Sequence, residues 1–228
     1  MVTLGDYAFA HDTTRVLSDL RFVEDRLRRQ VEIVGLLSGF STRAAFESEL
    51  AALDAAVEAF SNGSAALSLT AGRALSGSVL RYRKTLDELQ RSVAFRLILL
   101  SEDRFERSVA LHEEPLTITA SGDYLVLENA GTADSLPTLT LTADGSLVDP
   151  SLSDGTRALT YHGTLSAGDV LVVDCDAHTA TVNGENALSG VSGDWPRLSP
   201  GETTLTYSDD AAGSHDATLV VAYRDFWA

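Results

Sequence analysis

The chain is short of cysteine, of lysine and of long apolar runs, and each shortage closes off a class of protein. Its 228 residues include one cysteine, Cys175, so neither an internal disulfide nor a cysteine-rich zinc site can form. No apolar stretch approaches the roughly 20 residues of a membrane-spanning helix, and no membrane partner is expected. The opening MVTLGDYAFAHDTTR lacks a basic stretch followed by an apolar core, so no secretory signal is expected. Gly-x-Ser-x-Gly occurs nowhere, which removes the nucleophile elbow of the α/β-hydrolases. The five histidines (His11, His112, His162, His178 and His215) lack the close spacings of metal sites. Neither enzymatic activity nor a cofactor is expected.

Lys84 is the only lysine among 17 basic residues. A lysine-poor, aspartate-rich surface fits either a GC-rich genome or a high-salt habitat, where screening relieves carboxylate repulsion. What the chain does have is acid, unevenly placed. Residues 1–110 carry 14 basic and 15 acidic side chains, a net of -1, whereas residues 111–228 carry 3 and 18, a net of -15. Such a shift marks a domain boundary near residue 110. The acidic second half should repel phosphate backbones, so it is not expected to bind nucleic acid. Arg81, Tyr82, Arg83 and Lys84 form the one short basic cluster of the first half, read as a solvated or subunit-contacting strand end. With 44% hydrophobic residues, each half can bury a core.

The hydrophobic period changes along the first half. Thr14-Arg15-Val16-Leu17 and Val31-Glu32-Ile33-Val34 read as strands ended by Gly35 and Gly39, although residues 26–30 would also suit a helix. From Ser41 to Phe60 the period is helical. Phe46, Leu50, Leu53, Val57 and Phe60 recur at spacings of four and three on one face. Ser41 or Thr42 can cap the start, Asn62-Gly63 can stop the helix, and Glu47, Asp54 and Glu58 take the wet side. The helix is expected over 42–61, lying on a sheet. Ala66 to Ala71, Leu75 to Tyr82 and Arg91 to Leu100 then alternate with period two. In the last of these, Val93, Phe95, Leu97 and Leu99 share a face. Ala94, Ile98 and Leu100 are apolar on the other, so this strand should be buried on both sides or covered by a neighbouring chain.

From Leu116 every segment is short, extended and bounded by turns. Strands are expected at 116–119, 124–127, 139–142, 158–161, 170–173, 180–182, 203–207 and 217–223. Ser121-Gly122-Asp123, Ala143-Asp144-Gly145 and Asp154-Gly155 supply the turns between them. The fold class is mainly β with one helix, its second half a β-sandwich or jelly roll.

The stretch LSAGDVLVVDCDAHTATVNGENAL gathers the residues most suggestive of chemistry. Cys175 lies between Asp174 and Asp176, whose charge raises a thiol's pKa, so the residue reads as structural. Asp174, Asp176 and Glu185 could supply hard oxygen ligands for calcium. Asp and Asn-Gly are also what tight turns select, because they tolerate left-handed backbone angles, and turn chemistry is the simpler reading. The stretch is then a hairpin: a strand from Val170 to Val173, a turn over 174–177, and a return strand closed by Asn183-Gly184. Trp195 and Trp227 are expected to anchor a core or an interface.

The order of these pieces carries a resemblance. Gly168-Asp169-Val170-Leu171-Val172-Val173-Asp174 is followed by Thr181-Val182-Asn183-Gly184, then by Leu198-Ser199-Pro200-Gly201-Glu202-Thr203-Thr204-Leu205. The chain closes on Ala222-Tyr223-Arg224-Asp225-Phe226-Trp227. Asn129-Ala130-Gly131 and Pro137 stand ahead of them. In this order and spacing, residues 114–228 resemble the galectin-like C-terminal domain of siphovirus distal tail proteins. The signature residues are Gly168, Asp169, Asp174, Asn183, Gly184, Pro200, Gly201, Tyr223, Arg224 and Asp225, in structural roles. The first half is similar in outline to that family's N-terminal belt domain. It departs at Ser101-Glu102-Asp103-Arg104, where many relatives have an Asp-Pro-aromatic junction.

The resemblance implies a belt-like, ring-forming domain over 1–110 and a galectin-like β-sandwich over 111–228. It implies a homo-oligomer, a hexameric ring at the tail tip of the virion, assembled in the host cytoplasm. Its partners would be the tail tube protein, the hub and other tail-tip or receptor-binding proteins. The alternative, from another class, is a carbohydrate-binding β-sandwich that recognises a host surface, with calcium at Asp174, Asp176 and Glu185.

Overall fold

The computed structural model describes residues 1–10, 12–23, 26–101, 103–210 and 213–228. His11 and Glu102 of the junction motif lie outside them. The chain divides into two compact units, Met1–Val109 and Ala110–Trp227. Among the described residues no helix is long and apolar enough to cross a membrane.

The first unit is built on four antiparallel strands: β1 (Thr14–Val23), β2 (Arg26–Leu37), β3 (Gly77–Asp87) and β4 (Ser92–Ser101), in the spatial order β1-β2-β4-β3. The helix α1 (Arg43–Ser61) covers one face. Residues 26–30 are strand, not helix, because they pair with both Val23–Asp19 and, further on, β4. Gly35 does not end β2; the strand runs through it to Leu37. It pairs directly with Phe95, and a Cβ there would lie 2.4 Å from Phe95 Cζ, so the missing side chain is what admits the ring.

Thr42 caps α1, its hydroxyl accepting the Ala45 N–H at 3.1 Å. Past Asn62, Gly63 takes φ +78°, the left-handed stop that glycine allows. Phe46, Leu53, Val57 and Phe60 are buried against Val31, Ile33, Phe95 and Leu97, while Leu50 is only half-buried. Asp54 is on the wet side, its side chain 42% exposed, but it is not free there. It accepts from Lys84 Nζ at 2.6 Å and from the Tyr82 hydroxyl at 2.8 Å, tying the helix to β3. Burial, then Asp54, pushes the Tyr82 phenol well above its ordinary pKa. Residues 66–71 form strand only at Leu67–Ser68, and β3 starts at Gly77 because Leu75 bridges to Leu67.

The second unit is a sandwich of two antiparallel sheets. Its strands are β5 (His112–Ile118), β6 (Tyr124–Asn129), β7 (Thr138–Ala143), β8 (Ser151–Ser153), β9 (Ala158–Tyr161), β10 (Val170–Asp174), β11 (Thr179–Val182), β12 (Glu185–Asn186), β13 (Val191–Gly193), β14 (Gly201–Ser208) and β15 (Ala217–Tyr223). One sheet has the order β5-β15-β7-β10-β11-β12, the other β6-β14-β8-β9-β13. Alternate residues face inward, as a period of two requires. Leu139 and Leu141, Leu171 and Val173, and Leu219 and Val221 from the first sheet meet Leu127, Leu205 and Tyr207 from the second. The short strands β8, β12 and β13 carry too few apolar residues to show in the pattern.

Candidate functional site

The signature residues fall into two polar constructions within the sandwich. The first is a latch between two turns. β10 and β11 form the expected hairpin, with Leu171 paired to Val182 and Asp174 to Thr179. Gly168 (φ +92°), Asn183 (φ +52°) and Gly184 (φ +84°) all take left-handed angles. Asn183 donates its side-chain N–H to Asp169 Oδ1 at 2.8 Å and accepts the Val170 N–H at 2.9 Å. Asp169 Oδ2 accepts the Ser166 N–H at 2.8 Å. The Asn183 bond, followed by the Ser166 bond, holds the Asp169 carboxyl below the usual carboxylate range.

That depression sets a pH dependence. A carboxyl whose folded pKa is lowered adds stability above its unfolded value, about 3.9, and loses it as pH falls through the folded value. Asp169→Asn should therefore be less stable than the parent at pH 7, and the gap should narrow as pH falls below about 4. Urea midpoints of the two proteins across that range check it, and a gap that stays constant would refute the latch.

The second construction is a clasp around the last strand residues. Asn129 is buried and donates to the carbonyls of Ala133 and Leu198, both at 2.9 Å, while its Oδ1 accepts the Gly131 N–H. Asp225 is buried too; it accepts from Ala130 N–H and His112 Nε2, each at 3.1 Å. Tyr223 stacks on His112 with ring centroids 4.8 Å apart and donates its hydroxyl to the Glu128 carbonyl at 2.9 Å. Gly201 (φ +88°) pairs with Asn129, which accounts for the Pro200-Gly201 position at the start of β14. Arg224 lies beside Asp225, half-exposed.

The calcium candidates are not brought together as a site. Asp174 Oδ1 is taken by the N–H groups of Asp176 and Ala177, both at 2.9 Å, a turn cap of the kind aspartate makes locally. Asp176 and Glu185 are exposed. Among the described residues no group of three or more His, Cys, Asp or Glu side chains could hold a metal. Cys175 is fully buried, and burial, then Asp174 and Asp154, pushes its thiol up to about 12. Such a thiol carries almost no thiolate at neutral pH and is no nucleophile. Trp195 packs against the sandwich core as an anchor, with His178 stacked on it at 5.1 Å. That stacking covers one face of the indole.

Sequence reasoning missed Asp154, whose side chain is nearly inaccessible. Burial would raise its carboxyl, but N–H groups of Arg197, Arg157 and Thr156 and the Arg157 guanidinium outweigh it and hold the group low. Only the Asp154-Gly155 turn signal marked the position.

Fold and polar groups together define a β-sandwich domain held by turn latches and a terminal clasp, following in sequence a helix-covered β-sheet unit. Residues 130–227 match the family model described as the siphovirus-type tail component, C-terminal domain. The whole chain is also similar to a solved structure, that of SPP1 Dit (gp 19.1), described as a paradigm of the hub adsorption apparatus in phages infecting Gram-positive hosts. The TM-score is 0.59 at 14% identity, covering 98% of this chain and 91% of that one, so the likeness is one of fold. Among curated proteins no match is found.

Proposed function

We propose that this chain is a distal tail protein: a structural subunit that closes into a ring at the tip of a long phage tail. The match over residues 130–227 carries the reading. The geometry of the first unit supports it. β1 and β3, ten and eleven residues long, are the two edges of their sheet, and each has one side unpaired among the described strands. Long free edges are aggregation hazards unless something covers them. The helix-free face of the same sheet exposes Leu17, Val34, Leu36 and Leu80, each at least 40% accessible. Interleaved with them are Arg15, Arg81 and Arg83, also exposed. The pleat splits the basic cluster: Lys84 and Tyr82 turn to the helix, Arg81 and Arg83 away from it.

A surface rich in aliphatics and arginine but poor in lysine has the composition of a protein interface. Closed cyclic symmetry satisfies two complementary edges in every copy at once. The ring, six copies on the resemblance, would join the tail tube to the hub or receptor-binding proteins, within a virion assembled in the host cytoplasm. Mass photometry of the full chain, alone and with the neighbouring tail proteins, should show a closed ring. A chain that stays monomeric at high concentration with those partners present would overturn the proposal.

A further inference from the structure

The sandwich has four edge strands, and three of them are protected against further pairing. β5 carries Pro115, which has no N–H to offer, beside exposed Glu113 and Glu114. β12 is two residues long, and β13 is three residues long and ends on Gly193. β6 has none of these devices. It runs for six residues without proline, glycine or lysine. Its outward side chains Tyr124 and Val126 are 61% and 51% exposed, and aromatic and β-branched residues are the ones that pair best across strands.

The backbone of β6 specifies the kind of ligand. Tyr207 N–H donates to the Asp123 carbonyl at 2.8 Å, and in an antiparallel ladder such bonds recur at every second residue. Leu125 and Leu127 therefore bond across to β14, while the N–H and C=O groups of Tyr124 and Val126 point away from it. Among the described residues those four groups have no partner, whereas the next carbonyl on that side, Glu128, accepts the Tyr223 hydroxyl. Donors and acceptors at strand spacing are matched by another extended backbone.

Charge selects the side chains of that ligand. Glu128 stands directly opposite Glu202 on the outward face, and like charges so placed repel. Among the described residues neither carboxylate is hydrogen-bonded or ion-paired. Glu114 of β5 gathers at the same place: burial, then Asp225, Glu114 and lastly Glu128 push the Tyr223 phenol above its ordinary pKa. The unit's basic groups do not offset these acids. Arg157 and Arg197 pair with Asp154 and Asp134, His112 is held by Asp225, and Arg224 follows β15 in the other sheet.

We propose that β6 is a docking edge for an extended, basic segment of another protein, which adds to the sheet as an antiparallel strand. Its apolar side chains lie beside Tyr124 and Val126, and its cation sits at Glu128 and Glu202, relieving their repulsion. The site belongs to the second unit alone and holds whether or not the chain closes into a ring.

The probe is the capped peptide acetyl-Arg-Thr-Val-Thr-Ile-amide, titrated into the isotope-labelled full chain while backbone amides are followed. Saturable shifts are expected at the Tyr124 and Val126 N–H groups, and their hydrogen exchange should slow about tenfold or more at saturation. The Arg→Glu peptide should bind at least about tenfold more weakly. N-methylation of the peptide valine, which faces the edge, should abolish binding, whereas N-methylation of the second threonine, which faces away, should be tolerated. Val126→Pro should fold with little change in Tm, because that N–H bonds nothing in the free chain, and should lose binding. Glu128→Arg should fold with an unchanged or raised Tm and bind at least about tenfold more weakly. No saturable shift in the parent, equal binding by Glu128→Arg, or equal binding of the two N-methylated peptides would each overturn the docking edge. Should Val126→Pro or Glu128→Arg change the oligomeric mass without any peptide response in the parent, the occupant is a second copy and the assigned partner is wrong.

Discussion

Gly131→Ala is expected to destabilise the second unit by about 3 kcal/mol. A Cβ at Gly131 would lie 2.1 Å from the Phe226 carbonyl oxygen and 2.7 Å from its nitrogen. Both obstacles are backbone, so no rotamer change relieves them. The same carbonyl accepts the N–H groups of Thr132 and Ala133 at 2.8 and 3.0 Å. Moving it far enough to admit a methyl group breaks both bonds and disturbs buried Asn129, whose Oδ1 lies 2.8 Å from the added atom. The melting temperature should fall by roughly 6 to 12 °C. Urea unfolding followed by tryptophan fluorescence would show the midpoint moving with an unchanged slope. A loss below about 1 kcal/mol would mean that the terminal clasp is slack, and the reading of Asn129 and Asp225 as its fasteners would fail.

Leu53→Ala should cost the first unit a similar amount, about 3 to 4 kcal/mol. Leu53 is fully buried between α1 and the sheet, and a helix of this length owes its stability to the packing of its apolar stripe rather than to intrinsic propensity. Leu50 supplies the control. It lies one turn earlier on the same stripe but is half-buried, so its alanine variant should lose about 1 kcal/mol. Circular dichroism melts of the two variants decide the matter. Equal losses would show that the helix does not dock through the face described.

The helix was the most legible element, because five apolar residues at spacings of four and three leave one solution, and Thr42 and Asn62-Gly63 bound it. The sandwich strands were legible for the same kind of reason, with turn residues set between runs of period two. Where the reading strayed, a distant partner had overruled a local signal. Gly35 looked like a strand end and is instead the space that Phe95, sixty residues on, fills with its ring. Asp54 looked like a free wet-side residue and is held there by Lys84 and Tyr82. Residues 26–30 have the composition of a helix and become strand through pairing with β1 and, from Arg29 on, with β4 as well.

The two polar constructions divide along the same line. Asp169 and Asn183 are close enough in sequence for their turn chemistry to be read. The bond from Asn183 to Asp169 was not, since only the folded hairpin brings them opposite each other. The clasp joins Asn129 and Ala130 to residues near position 225, and no local pattern announces that closure.

The grip of Asp54 on Lys84 has a practical consequence at the bench. Both carboxylate oxygens lie 2.6 Å from the only lysine ammonium in the chain, which also sits 5.3 Å from the Tyr82 ring centre. Among side chains, lysine-directed cross-linkers thus have a single target to find, and that one is already occupied. Mapping this protein's neighbours through side chains is better served by carboxylate- or arginine-directed reagents.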